Sequence, residues 1–362
     1  MKIGVLGGGQ LGRMLALAGY PLGLRFRFFD PVPESPVQDL ADLVVGRFDD
    51  LDILSRFPDG LDAITYEFEN VPVEPARHLA RRVPVYPPIE ALEVSQDRLS
   101  EKTLFNALGM ATAPFVALDT YDEYQQAVCS IGLPAVLKTR RLGYDGKGQV
   151  LLRSQADVAP AWQTLKGVPL ILEGFVAFER ELSQIAARGR DGAIVCYPLV
   201  ENYHAGGILR RSIAPAPATS DDLTNTAQAF LRRLMEHLNY IGVLTVEFFQ
   251  KDGRLIANEM APRVHNSGHW TIEGARTSQF ENHLRAVAGW PLGSADAVGH
   301  CVMVNLIGTL PPTPDVLALS EAHLHLYGKA ERPGRKVGHI TLWGESPGPL
   351  LEASRGLLSS VD

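Results

Sequence analysis

Strand-length apolar runs alternate with helical stretches through residues 1–95: Ile3-Gly4-Val5-Leu6, then a helix from Gln10, then Phe26-Arg27-Phe28-Phe29, then Ala63-Ile64-Thr65-Tyr66. That order predicts βαβ units and a parallel sheet. Tyr86-Pro87-Pro88 closes the segment as a rigid connector, and Ser95 is the expected N-cap of a helix beginning at Gln96 and running through Lys102. From about 111 to 295 the pattern reads as α+β, and after Trp290-Pro291 it mixes short strands and turns. No internal repeat or low-complexity tract interrupts it.

Val243-Leu244-Thr245-Val246-Glu247-Phe248-Phe249 carries one acid in otherwise apolar or β-branched company. Across Lys251-Asp252-Gly253-Arg254 lies Asn258-Glu259-Met260-Ala261-Pro262-Arg263-Val264-His265-Asn266-Ser267-Gly268-His269. The spacing predicts a hairpin. A carboxylate on such a strand is costly to bury without a cation. Glu247 and Glu259, with Asn258 as a neutral oxygen donor, therefore suit Mg2+. A two-residue turn at Asp252-Gly253 pairs Glu247 with Asn258 and sends Glu259 to the other face. Both acids reach one ion only if the loop holds an odd number of residues or the ladder carries a bulge. One of these is expected, and a regular two-residue turn counts against the pairing.

At 362 residues the chain is long enough for two or three domains, each with its own core. A formal charge of -7, with no basic run and no basic amphipathic stretch, argues against nucleic acid and against a membrane surface as partners. Small anions remain compatible, because a local cluster of Arg and Lys suffices to hold them. Cys129, Cys196 and Cys301 are an odd, widely spaced set without C-x-x-C, so neither a disulfide framework nor a zinc site is expected and a reducing cytoplasm fits. Met1-Lys2 leads straight into a strand, which leaves no signal-peptide core, and no apolar run reaches spanning length.

Two glycine loops carry further chemistry. Gly7-Gly8-Gly9-Gln10-Leu11-Gly12 has the G-x-G-x-x-G spacing, and Asp30 ends the next strand where a ribose-binding acid stands in dinucleotide sites. Exposed amides at a helix start attract any phosphate, so a nucleotide substrate fits as well as NAD or FAD. Close helix-to-sheet packing with no ligand is the structural alternative. The second loop, Leu142-Gly143-Tyr144-Asp145-Gly146-Lys147-Gly148-Gln149, follows a strand ending in Lys138; it is no Walker A and the kinase catalytic motifs are absent. It reads as a glycine lid over phosphates. Leu170-Ile171-Leu172-Glu173-Gly174-Phe175-Val176 is a strand giving way to a linker able to read an adenine edge, and Glu181 is placed to take ribose hydroxyls.

Taken in order, Lys138, the lid, the linker, Glu181, Glu247 and Asn258-Glu259 resemble the ATP-grasp superfamily. Residues 258–271, Gly9-Gln10-Leu11-Gly12-Arg13-Met14, Gly143 to Gln149 and Arg332-Pro333-Gly334-Arg335-Lys336-Val337-Gly338-His339 are similar to one family within it, the N5-carboxyaminoimidazole ribonucleotide synthetases. The resemblance covers nearly the whole chain and fades after His339. It implies an α/β and α+β enzyme of three domains: a Rossmann-like substrate-binding domain (1–95), an ATP-grasp domain (96–295) and a small β-rich C-terminal domain (296–362). It also implies ligation of bicarbonate to 5-aminoimidazole ribonucleotide at the expense of ATP with Mg2+, in de novo purine synthesis, by a homodimer. A formate- or amino-acid-using ATP-grasp ligase and a dinucleotide-dependent oxidoreductase are the rival readings.

Carried over residue by residue, the ATP contacts fall on Arg98, Lys138, Gly143, Tyr144, Asp145, Gly146, Lys147, Gly148, Gln149, Glu173, Gly174, Phe175, Val176, Glu181, His204, Asn258 and Glu259. Metal ligation falls on Glu247 and Glu259. Lys147 replaces the Arg of some relatives, exchanging a planar fork for a point charge, and is counted with Asp145, Arg263 and His265 in the catalytic set. Arg263 suits bicarbonate or carboxyphosphate by paired hydrogen bonds, with a salt bridge to Glu259 as its structural alternative. Asp145 and His265 are the candidate bases. The ribonucleotide falls to Gly9, Gln10, Leu11, Glu67, Asn266, His269, Lys329, Arg335 and Lys336, with helix capping as the alternative for Glu67.

Overall fold

The structure is a computed structural model that describes residues 1–143 and 146–359; Tyr144 and Asp145 lie outside the described residues. Four parallel strands, in the order Asp42–Val45, Arg25–Asp30, Lys2–Leu6, Ala63–Tyr66, form the first sheet. Its strands carry the apolar runs because a parallel sheet is covered on both faces: Ile3, Val5, Phe28 and Ile64 are fully buried. The helix Gln10–Gly19 starts where the sequence pattern places it. It packs on the later helix Gln279–Ala288, so the first sheet is tied to the middle of the chain.

A four-stranded antiparallel sheet, Phe115–Leu118, Leu170–Gly174, Ala135–Thr139, Gln149–Leu152, holds Lys138 on a central strand. Opposite it stands a sheet of nine strands in which Arg254–Ala261, Gly242–Lys251, Arg180–Arg188, Val200–Ala205 and Ile208–Ala214 follow one another. The C-terminal β-rich segment is hydrogen-bonded into this same sheet: His300–Ile307 pairs with Ile208–Ala214 and carries Lys336–Gly344 on its far side. These strands are longer than the short pieces the sequence pattern suggests, and a closing helix, Pro347–Ser359, was not foreseen. No helix among the described residues is long and apolar enough to cross a membrane. Cys129, Cys196 and Cys301 are free thiols.

One boundary is corrected. Ser95 closes the helix Ile89–Ser95, its hydroxyl turned back on the Leu92 carbonyl. The cap of the next helix, Arg98–Ala107, is Asp97, which accepts from the Leu99 amide and holds Arg140 through two hydrogen bonds. Asp is as good a cap as Ser, and the two guanidinium partners of Asp97, Arg140 and Arg141, decide between them.

Candidate functional site

The hairpin turns on Asp252 and Gly253, both at positive φ (50° and 70°), as a two-residue turn demands. That regular turn alone would have separated the two acids. A bulge restores them: Glu247 pairs with Glu259 while Phe248 pairs with Ala257, which leaves Asn258 as the extra residue. Burial and the neighbouring Glu259 push the Glu247 carboxyl up to about 7. Glu259 is 42% exposed to the cleft and, against the effect of burial, is held below the ordinary carboxylate range by Arg98, whose Nη1 lies 2.9 Å away. Asn258 Oδ1 is buried with no hydrogen-bond partner among the described residues. Two clustered carboxylates and an orphaned amide oxygen are a donor set that a hard cation completes, so the residues fit Mg2+.

Around this hairpin the predicted ATP residues gather. Lys138 Nζ donates to Glu173 Oε2 at 2.9 Å, and although burial pushes the Glu173 carboxyl up, the charges of Lys138 and Lys102 bring it down to about 2. Glu181 and His204 meet through Nδ1 at 2.8 Å; burial works against the imidazolium, yet the Glu181 hydrogen bond and Glu247 raise it above its ordinary value. The linker residue Phe175 is 44% exposed, and Phe178 stacks on Phe249 at 4.7 Å beside Glu181. In the lid, Gly148 sits at φ 71° with Thr139 Oγ1 only 2.6 Å from where a Cβ would stand. Gly143 lies within the same turn of chain, close to Arg98.

The floor of the site adds Glu101 and Lys102, which the sequence pattern did not single out, to Arg98, which it did. One face of the helix Arg98–Ala107 grips the bulge: Arg98 holds Glu259, Glu101 accepts the Met260 amide at 2.6 Å, and Lys102 donates to the Asn258 carbonyl at 3.0 Å. Lys102 also lies 3.2 Å from Glu173. The spacing 98, 101, 102 is one helical face and was the available signal.

Arg263 does not pair with Glu259. Its Nε donates to Glu69, on the loop following the first sheet, and Nη1 donates to the Val264 carbonyl at 3.0 Å. His265 Nε2 stands 3.3 Å from Glu247 Oε1, and the Gln279 amide brackets the His265 backbone on both sides. Asn266 is locked amide-to-amide with Asn305. His269 is fully buried with both ring nitrogens unpartnered among the described residues, and it packs against His339 at 4.8 Å.

The glycine turn at the N-terminus differs from the phosphate-ready loop its spacing suggests. Asp30 accepts the Gly8 amide at 2.7 Å; Glu67 accepts the Gly9 and Gly12 amides at 2.5 and 2.7 Å. The amides of Gly8, Gly9 and Gly12 are thus already satisfied by carboxylates, with Glu67 bridging the first turn of the helix as a cap would. Gln10, at the mouth of this turn, receives Lys329. Leu11 is buried. Arg335 Nη1 donates to the Ala330 carbonyl at 3.2 Å, and Lys336 begins a strand, its charge reaching Glu69, Glu247 and His265.

Comparison with known proteins agrees with this layout. Family models for a ribonucleotide synthetase preATP-grasp domain, an ATP-grasp domain and a phosphoribosylaminoimidazole carboxylase C-terminal domain match residues 1–96, 103–280 and 301–353. The N5-carboxyaminoimidazole ribonucleotide synthase of Pseudomonas aeruginosa is 53% identical over 94% of both chains, and that of Brucella melitensis is 48% identical over 94% of this chain and 95% of its own. The crystal structure of the Thermus thermophilus synthetase superposes with TM-score 0.95 at 58% identity, covering 99% of this chain and 98% of that one. An Aspergillus clavatus structure in complex with ADP and 5-aminoimidazole ribonucleotide superposes with TM-score 0.90 at 31% identity over 98% of each chain. The chain belongs to the N5-carboxyaminoimidazole ribonucleotide synthase family of ATP-grasp ligases.

Proposed function

We propose that this protein converts ATP, bicarbonate and 5-aminoimidazole ribonucleotide to N5-carboxyaminoimidazole ribonucleotide, ADP and phosphate, with Mg2+ held by Glu247 and Glu259. The observation that carries it is the bulge that turns both acids to one face, next to Arg263 and His265. Bicarbonate is a poor electrophile and must first become a carboxyphosphate. Mg2+ supplies charge neutralisation at the transferring phosphoryl group when bound. Arg98 orients Glu259, Lys138 serves the inner phosphates, and the lid with Lys147 closes over them; positioning does most of the work in such transfers. Arg263 holds the bicarbonate oxygens, its Nε occupied by Glu69. Asn266, Lys336, Arg335, His269 and the Gln10–Lys329 mouth surround the ribonucleotide. A base then takes the proton of the attacking amine, with Asp145 and His265 the two candidates.

The parts at 1–95, 96–295 and 296–362 serve in this reading as substrate, nucleotide and closing domains. We further take the working enzyme to be a cytoplasmic homodimer, which sedimentation tests. The function itself is tested by ADP release that requires bicarbonate and the aminoimidazole ribonucleotide together. Release supported by formate in place of bicarbonate would sink the assignment of substrate.

A further inference from the structure

Behind His265 a line of buried polar side chains crosses the large sheet. Ser212 Oγ lies 2.7 Å from Asn202 Oδ1, Asn202 Nδ2 lies 3.0 Å from Ser183 Oγ, and Ser183 Oγ lies 2.7 Å from Ser267 Oγ. The line ends on His265 Nδ1, 2.8 Å from Ser267 Oγ. Ser183, Ser212 and Ser267 are fully buried and Asn202 nearly so.

A hydroxyl has a single proton to give. Asn202 donates through its amide nitrogen, so Ser183 receives there and spends its own proton on Ser267. Ser267, receiving in turn, spends its proton on His265 Nδ1. A second, longer contact favours the same state: the Ser267 backbone N–H also points at Nδ1, 3.3 Å away, and a backbone amide only donates. Nδ1 therefore faces two donors and carries no hydrogen. The ring proton of a neutral imidazole then sits on Nε2, the nitrogen facing Glu247 and the cleft.

We infer that Asn202, Ser183 and Ser267 form a one-way hydrogen-bond chain that holds His265 in its Nε2–H tautomer, so that His265 offers a hydrogen bond to an oxygen of the reacting bicarbonate and takes no proton from the amine. This deepens the function proposed above and rests on it for the identity of the ligand, while the tautomer itself does not. Asn202, Ser183 and Ser267 are positioning residues; none meets the substrate. Of the two candidate bases, the inference leaves Asp145.

The test is nitrogen-15 NMR of the full-length protein labelled at histidine, with the His265 signals assigned by their loss in His265→Gln. The wild-type ring is expected to show a protonated Nε2 and a bare Nδ1. Asn202→Asp exchanges the donor for a carboxylate that only accepts, so Ser183 turns toward it, Ser267 turns toward Ser183 and accepts from the ring, and the Nε2–H population falls in favour of Nδ1–H against the longer Ser267 amide contact. Ser183→Ala breaks the chain without adding charge and is expected to give a mixture. Both variants should lower kcat by roughly tenfold or more with the ATP KM unchanged. An Nδ1–H signal in the wild type, or an undiminished Nε2–H signal in both variants, overturns the inference. If the assay instead lacks bicarbonate dependence while the spectra behave as expected, the chain stands and the function proposed above falls.

Discussion

Glu247 and Glu259 stand opposite each other across a hairpin whose tight turn would otherwise have placed Asn258 there. The extra residue is thus what makes a two-carboxylate site out of two adjacent strands. Replacing one oxygen anion by an amide keeps the shape and removes the charge. Glu259→Gln is expected to lower kcat about a hundredfold or more, with little change in melting temperature because the side chain opens on the cleft. ADP release and a thermal scan measure the two effects, and turnover within tenfold of wild type would contradict the metal role.

Lys102 underlies that bulge, tied at once to the Asn258 carbonyl and to Glu173. Its side chain is almost wholly buried. Lys102→Met fills the same space and leaves Glu173 with Lys138 alone, which should cost about 3 kcal/mol of stability. Urea titration reads this directly. A loss below about 1 kcal/mol would mean that Lys138 compensates fully.

Glu69 belongs to the first domain, Arg263 to the hairpin's far end, and their hydrogen bond joins these two parts of the chain. With Nε taken by Glu69 and Nη1 by the Val264 carbonyl, the guanidinium plane is fixed and its remaining edge is aimed. Glu69→Gln loosens that aim without removing the Arg. The bicarbonate KM is expected to rise about tenfold while the ATP KM stays put, and a change in the ATP KM alone would place Arg263 elsewhere.

The sequence made some of this legible and hid the rest for identifiable reasons. The parallel sheet followed from Ile3 to Leu6, Phe26 to Phe29 and Ala63 to Tyr66, because doubly covered strands are continuous apolar runs. The bulge was deducible from the pleat: two acids needing one ion conflict with a period of two. Glu69 was not visible, and Glu101 and Lys102 offered only their spacing from Arg98, because charges that serve other residues look in sequence like ordinary surface charges. Only the fold, which brings Glu69 across 194 positions to Arg263, reveals them. The Gly7 to Gly12 turn was legible as a turn, and three of its amides have partners that its spacing does not show. Its spacing reports backbone geometry, whereas the partner of the Gly9 and Gly12 amides is Glu67, more than fifty positions downstream.

His283 gives a test of the fold away from the chemistry. The ring is fully buried, hydrogen-bonded to Thr65 through Nε2 and to the Val243 amide through Nδ1, and burial brings it down to about 4. An unfolded histidine titrates near 6.5. Between these values the unfolded chain holds a proton that the folded one refuses, so the stabilisation is complete above about pH 6.5 and is lost as the pH falls toward 4. Near pH 5 the loss from this one residue is about 2 kcal/mol. His283→Gln removes the titration while retaining an amide of similar reach. The difference between urea unfolding free energies at about pH 8 and about pH 5 should therefore shrink by about 2 kcal/mol in the variant, even though the variant is the less stable protein at pH 8. An unchanged difference would mean that His283 is protonated in the folded state, and that the Val243 amide does not donate to it.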